Sequence, residues 1–312
     1  MTEATDAATT PRDPDAARGV IHDLGYQHYE GVRLGRGAVF RGLYTASLRS
    51  AFGLGRGAKA KIIPFAAVGI MALPAAIAVV VAIVAKQALG TELEFLHYRD
   101  YAMTPLQWVV LGFLAVQAAE LVCRDLRYTV LPLYFSRPIK RIDYPLAKLA
   151  AMATAVFIVM STPLIVHYLG ASFTTNDGLQ GIWTETKAVA PILVSAGVHA
   201  LVLGALGLAI ASLTPRRAFA IGGIAAWYVL SNAVMGALFV ALASRNEGTD
   251  PPPWPAVLSP FPLLNGFQNA ALRQEPSPID ANGYGLLFIA VTVGFFAACV
   301  AVLIVRYRRV AQ

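Results

Sequence analysis

Glu120, His167 and His199 fall within long apolar stretches of this chain, and Cys123 and Cys299 lie in or beside such stretches. A carboxylate and an imidazole at one membrane depth could relay protons, and His with Cys could hold a metal. The spacing points elsewhere. Glu120 stands four residues before Arg124, the separation that brings two side chains together on a helix, so it reads as an interfacial ion pair ahead of a proton carrier. His167 and His199 read as imidazoles satisfied between helices, contact with a substrate or proton being the other reading. The two cysteines form neither a disulfide framework nor a metal-ligand pattern and read as packing residues. No His–carboxylate or Ser–base cluster converges, so no catalytic residue and no metal site is expected.

The stretch Gly53-Leu54-Gly55-Arg56-Gly57-Ala58-Lys59-Ala60 superficially resembles a phosphate-binding loop. Such a loop presents backbone amides where a strand turns into a helix, with Ser or Thr after the lysine. Here Ala58 replaces the second glycine, Ala60 replaces the hydroxyl residue, and no strand pattern precedes them. The chain is therefore expected to hold no cofactor and not to be an enzyme on its own.

The elements that carry these residues follow from composition. Of 312 residues 57% are hydrophobic and 14% charged, with a mean hydropathy of +0.59; soluble domains carry about 25% charge. The apolar residues come in blocks of about 20, the length of helix that crosses roughly 30 Å of hydrocarbon. Six such blocks stand out at 63–85, 106–123, 146–169, 188–213, 219–243 and 286–305. The expected fold is an all-α integral membrane protein with six transmembrane helices in a domain spanning 62–312. Ordinary soluble enzyme folds are excluded. The first block follows some 60 residues that include six carboxylates, so it does not read as a cleavable leader.

Loops on the cytoplasmic side retain Lys and Arg. Of the 25 such residues, 20 lie before the first block, in 124–148, between the fourth and fifth blocks, or after the sixth. Both termini are therefore expected in the cytoplasm. This topology and contact with lipid headgroups account for the net charge of +7, and no nucleic-acid partner is expected. Span charges are too few for the mid-membrane carboxylate that a proton-coupled carrier needs. Lys86, at the far end of the first block, can snorkel. Arg outnumbers Lys 19 to 6 and Ala and Gly abound, which points to a GC-rich bacterial genome and its cytoplasmic membrane.

Between the spans, residues 1–35 have too few large apolar side chains to offset ordering entropy and read as disordered or extended. Over 36–61, Phe40, Leu43, Tyr44, Leu48, Ala51 and Phe52 recur at helical spacing while Arg41, Thr45 and Arg49 share another face. This predicts an amphipathic helix along the inner membrane surface, either a basic anchor or a contact for a cytoplasmic partner. The connection 124–148 interleaves Leu131, Leu133, Tyr134, Phe135 and Ile139 with charge, as a short surface-embedded helix would, ended by Ser136-Arg137-Pro138. Residues 170–187 read as a polar connection. The long segment 244–285 holds eight of the 19 prolines, yet Leu263, Leu264, Phe267, Ala270 and Ala271 face away from Asn265, Gln268, Asn269 and Arg273. That pattern predicts a short amphipathic helix at the outer leaflet, an interfacial anchor or a re-entrant element.

The run Leu133-Tyr134-Phe135-Ser136-Arg137-Pro138-Ile139, followed by Arg141, Asp143-Tyr144 and Lys148, resembles the membrane permease of type-2 ATP-binding-cassette exporters. Six spans and a basic amphipathic helix before the first agree with that likeness, which extends over roughly 36–309. In that family the loop between spans two and three carries a coupling helix seated in a separate ATPase subunit. The resemblance implies that Leu133, Tyr134, Phe135, Ser136, Arg137, Pro138, Arg141 and Tyr144, with Arg41 and Arg49, couple to two cytoplasmic ATPase copies that bind ATP and Mg. It also implies a second permease copy or a related permease. Without that likeness, the same loop reads as a solvated positive-inside connection.

Spans two and five line the central cleft in similar exporters, which makes Phe113, Gln117, Trp227, Asn232 and Phe239 candidates for the substrate path, with simple helix packing as the other reading. Leu264 and Phe267 are the corresponding outer-gate candidates. Ala200, Gly204, Gly207, Gly222 and Gly223 are expected to allow close helix approach. The expected function is export of a hydrophobic or amphipathic cargo, such as a lipid, drug, antibiotic or peptide. The alternative is a stand-alone carrier or channel.

Overall fold

A computed structural model describes residues 31, 35–89, 98, 106–136, 138–175, 178–245, 251–272 and 283–310. Among these residues every regular element is helical: α1 (Arg36–Ala51), α2 (Ala58–Leu89), α3 (Leu106–Arg127), α4 (Leu131–Phe135), α5 (Asp143–Thr174), α6 (Gly178–Ser212), α7 (Arg217–Ala243), a 3-10 turn (Trp254–Leu258), α8 (Pro260–Leu272) and α9 (Gly285–Val310). Six of them, α2, α3, α5, α6, α7 and α9, are long and apolar enough to cross a membrane, each overlapping one expected span. The chain is a multi-pass membrane protein. The expectations for 1–34 apart from Gly31, and those for Arg137 and Arg273, lie outside the described residues.

The helices outrun the apolar blocks. α5 and α6 have 32 and 35 residues, which at 1.5 Å each is roughly 50 Å, well beyond the hydrocarbon thickness. The expected polar connection 170–187 is consequently mostly helix: α5 runs to Thr174 and α6 begins at Gly178, whose φ of 56° makes the turn. A polar sequence ends the membrane-embedded part of a helix without ending the helix, because its backbone bonds are internal.

Three helices form the centre. In their most apolar windows α3, α5 and α6 are 67%, 61% and 72% buried, against 17%, 11% and 22% for α2, α7 and α9. Small residues bring the central three together. A Cβ at Gly207 of α6 would stand 2.8 Å from Leu114 Cδ1 on α3, and one at Gly204 3.4 Å from the Ala153 backbone on α5. Of the other small residues singled out above, a Cβ at Gly223 would stand 3.2 Å from Ile210, whereas Gly222 faces open space.

The first helix has the faces expected of it: Leu43 and Ala51 are buried, Phe40, Leu48 and Phe52 pack on the core, and Arg41, Thr45 and Arg49 are exposed. Its course differs from a helix laid across the bundle end. Arg36 pairs with Asp143, and eight residues on, the Tyr44 hydroxyl donates to Thr154 Oγ1 at 3.1 Å, eleven residues further along α5. α1 thus climbs alongside α5 until Phe52 meets Phe113, ring centroids 6.1 Å apart. Gly53 then turns the chain into α2 with a φ of 66°, and a Cβ there would collide with the Ala60 carbonyl.

Candidate functional site at the basic end of the bundle

Tyr144 and Lys148 are four residues apart in the first turns of α5 and therefore share a face. That face meets the last turns of α3. The Tyr144 hydroxyl donates to Asp125 Oδ2 at 2.7 Å, Lys148 Nζ lies 2.8 Å from the same oxygen, and Nζ also donates to the Leu121 carbonyl at 3.0 Å. Asp125, Tyr144 and Lys148 are 6%, 0% and 6% exposed. A buried ion pair stands only if its remaining donors and acceptors are satisfied, which the tyrosine and the Leu121 carbonyl do here. Lys148 also lies over the Tyr144 ring, 5.5 Å from its centroid.

The short helix α4 rests on this centre. Tyr134 and Phe135 pack on Tyr144 with ring centroids 5.4 and 6.3 Å apart, and Tyr307 of α9 packs on it at 5.0 Å. Tyr144 thus joins α4, α3, α5 and α9. Next to Tyr307, Arg306 Nε donates to the Ser212 carbonyl at 3.2 Å, adding the end of α6. α3 and α4 meet at Thr129, held at a φ of 51°, a rare conformation for a non-glycine residue.

Two further carboxylates complete the layer. Glu120 has the expected Arg124 at 3.3 Å and in addition Arg217 of α7 at 3.1 Å and Arg56 of the α1–α2 turn. Arg56 reaches back as well to the Ser50 carbonyl and to Ser50 Oγ, the latter at 2.9 Å. Asp143 accepts from two guanidinium nitrogens of Arg36, Nε and Nη2, and from the backbone amide of Lys140, the amide at 3.0 Å. The carboxylate raises the Arg36 pKa above its already high value, so that partner stays charged throughout the working pH range.

The coupling candidates divide by exposure. Leu133, Ser136, Pro138, Arg141, Arg41 and Arg49 are exposed, Tyr134 and Phe135 are half-buried, and Tyr144 is wholly interior. Tyr144 therefore has no surface of its own for direct contact with a partner. The substrate-path candidates lie on separate surfaces: Phe113 and Gln117 are buried inside the chain, and Trp227 stacks on Phe295 at the exposed side of α7. Asn232 turns back to donate to the Tyr228 carbonyl, and Phe239 packs on Ala256, Leu263 and Phe288. Leu264 is fully buried and Phe267 half-buried in α8.

At the opposite end the helix expected at the outer leaflet is present as α8, but both its faces are buried, Leu263 and Leu264 on one and Asn265 and Gln268 on the other. Ser195 of α6 donates to Gln268 Oε1 at 2.6 Å. His199, one turn beyond Ser195, is 1% exposed and bonds back to the Ser195 carbonyl at 2.8 Å. Lys86 Nζ reaches the Thr174 carbonyl at 2.9 Å, as a snorkelling lysine would, and Tyr98 packs on His167 with centroids 4.7 Å apart. Sequence reasoning missed Asp125, Tyr307 and the Ser195–His199–Gln268 group. The four-residue spacings of Tyr144 with Lys148 and of Ser195 with His199 were the available signals.

Among the described residues no group of three or more His, Cys, Asp or Glu is placed to hold a metal ion. At the basic end an aromatic and ionic layer connects α4 to five of the six spans. No protein-family model matches the chain, and no curated protein matches it.

Proposed function

We propose that the chain is the permease subunit of an ATP-driven exporter of the type-2 ATP-binding-cassette class. Two copies, or one copy and a related permease, form a path for a hydrophobic or amphipathic cargo across a bacterial cytoplasmic membrane. The basic end and both termini face the cytoplasm, where two separate ATPase subunits bind ATP and Mg. The observation that carries this reading is α4, which leaves Leu133 71% exposed while Tyr134 and Phe135 rest on the buried Tyr144. An apolar side chain held out on a short loop-borne helix, at the end of the bundle where Lys and Arg cluster, supports contact with a partner. Motion of that partner passes through Tyr144 to Asp125 on α3 and Tyr307 on α9, a rigid-body mode of switching. The half-buried and exposed candidates on α7, Trp227 above all, suit a path between two copies, whereas Phe113 and Gln117 act from within one.

The test is co-purification from mild detergent. A subunit with nucleotide-binding motifs is expected with the native chain and is lost with Leu133→Asp plus Arg141→Glu, two changes on exposed side chains. Transport by the purified chain alone, with no such subunit recovered, replaces this reading with the carrier or channel.

A further inference from the structure

One stripe of α3 stays clear of the rest of the protein. Trp108, Gly112, Val116, Glu120 and Arg124 recur every four residues and are exposed or half-buried, while most of the helix around them is buried. α2 packs on one side of α3 and α7 on the other, and the two scarcely meet, so the stripe is the floor of a groove between them. A Cβ at Gly112 would find nothing within 4 Å. On the α2 side Phe65 stands half exposed against Phe52, whose ring also meets Phe113 of α3. At the far end Trp108 meets Tyr228 of α7 edge-on, ring centroids 4.9 Å apart. From Trp108 to Glu120 is roughly 18 Å of helix, and the stripe carries no charge until Glu120.

At the basic end the groove closes in an excess of positive charge. Arg56 comes from the α1–α2 turn on one side, Arg217 from the start of α7 on the other, and Arg124 from the floor, and all three meet Glu120. Among the described residues no second carboxylate pairs with any of them, so three guanidiniums against one carboxylate leave two positive charges over. Each guanidinium carries five N–H donors and a carboxylate about four acceptor sites, so Glu120 cannot saturate its partners. Arg124 and Arg217 keep 47% and 52% of their side-chain surface exposed. Glu120 thus holds the three cations together without neutralising them.

We infer that an anionic phospholipid binds here, its phosphate oxygens accepting from Arg124 and Arg217 with Arg56 adjoining, and one acyl chain lying along Val116 and Gly112. Phosphate takes paired N–H donors from a guanidinium, and the bilayer supplies the chain. A zwitterionic choline head brings its own cation into the same cluster and loses most of the attraction. A helix of a second copy would cover the apolar floor but leave the two surplus charges unpaired at the edge of the hydrocarbon. Anionic lipid gathers near any Lys or Arg at a membrane surface; this site differs in fixing three guanidiniums over an apolar groove. It requires that the spans lie in a bilayer and does not rest on the exporter reading.

The full chain in mild detergent is titrated with phosphatidylglycerol and, separately, with phosphatidylcholine of the same acyl chains, and the lipid retained per chain is read by native mass spectrometry. Phosphatidylglycerol is expected to bind about tenfold more tightly, and Arg124→Gln plus Arg217→Gln to remove that preference. Arg308→Gln plus Arg309→Gln takes the same two charges from exposed positions of α9 and is expected to leave it intact. Gly112→Leu fills the groove floor without touching charge and is expected to weaken retention about fourfold, the burial of one methylene. Equal retention of the two lipids by the native chain overturns the inference. So does a preference that the α9 variant abolishes as fully, since charge anywhere at this end then suffices. A native dimer that retains no anionic lipid assigns the groove to a second copy, and undiminished retention by Gly112→Leu places the lipid elsewhere; each overturns it too. If the Arg124 and Arg217 variant does not fold, the Gly112→Leu chain decides.

Discussion

The two ends of the bundle bury polar groups in opposite ways. At the basic end, Asp125 and Lys148 are full charges with almost no exposure, and they meet each other, a tyrosine hydroxyl and a carbonyl. At the other end Ser195, His199 and Gln268 are neutral and equally buried, and the Asn265 side chain bonds to the His199 ring. An unpaired buried charge costs several kcal/mol, whereas an unpaired neutral acceptor costs about 1–3. The first end accordingly rests on paired charges and the second on neutral hydrogen bonds.

Removing Lys148 should separate the two ends most sharply. Lys148→Met leaves Asp125 buried and unpaired and is expected to lower stability by about 3–5 kcal/mol, read from SDS unfolding in mixed micelles. Adding Asp125→Leu to that chain should return most of the loss, since no charge then remains; a double variant no more stable than the single one breaks the contrast. Next in size comes Ser195→Ala, which takes one donor from Gln268 at the neutral end. The same assay should register about 1 kcal/mol, and a loss as large as that of Lys148→Met would show the two ends to be alike. Smallest is Arg124→Ala. Its partner Glu120 retains Arg56 and Arg217, and Arg124 is nearly half exposed, so a change of no more than about 0.5 kcal/mol is expected, shrinking further in high salt.

What could be seen in the residues beforehand varies with how local the cause is. The six spans and the pairing of Glu120 with Arg124 were legible, since each depends on a block length or on spacing within one helix. The buried face of α1 was legible for the same reason, but not its climb along α5. That direction depends on Arg36 meeting Asp143 and Tyr44 meeting Thr154, contacts between residues more than a hundred positions apart. Likewise the polar and apolar sides of α8 could be read from 260–272, but an amphipathic pattern does not say which side faces the protein. Here both sides are covered: Ser195 meets Gln268 on one, while Leu263 and Leu264 are buried on the other. Of the coupling candidates, the exposed Leu133 and the wholly buried Tyr144 look alike in sequence, as two large side chains in one loop motif.

The sequence by itself determined that this chain carries six segments long and apolar enough to cross a membrane, with its Lys and Arg concentrated at alternate connections. Those properties follow from hydrocarbon thickness and the expense of moving charge through it, and both act on each segment independently. Only the tertiary structure decided that α3, α5 and α6 form the centre and that Asp125, Tyr144, Lys148 and Tyr307 converge beneath α4. It alone decided that His199 is buried beside Ser195. Nearly uniform apolar helices have many ways to pair, and the choice among them rests on the fit of Gly207 against Leu114 and on buried polar groups finding one another across separate helices.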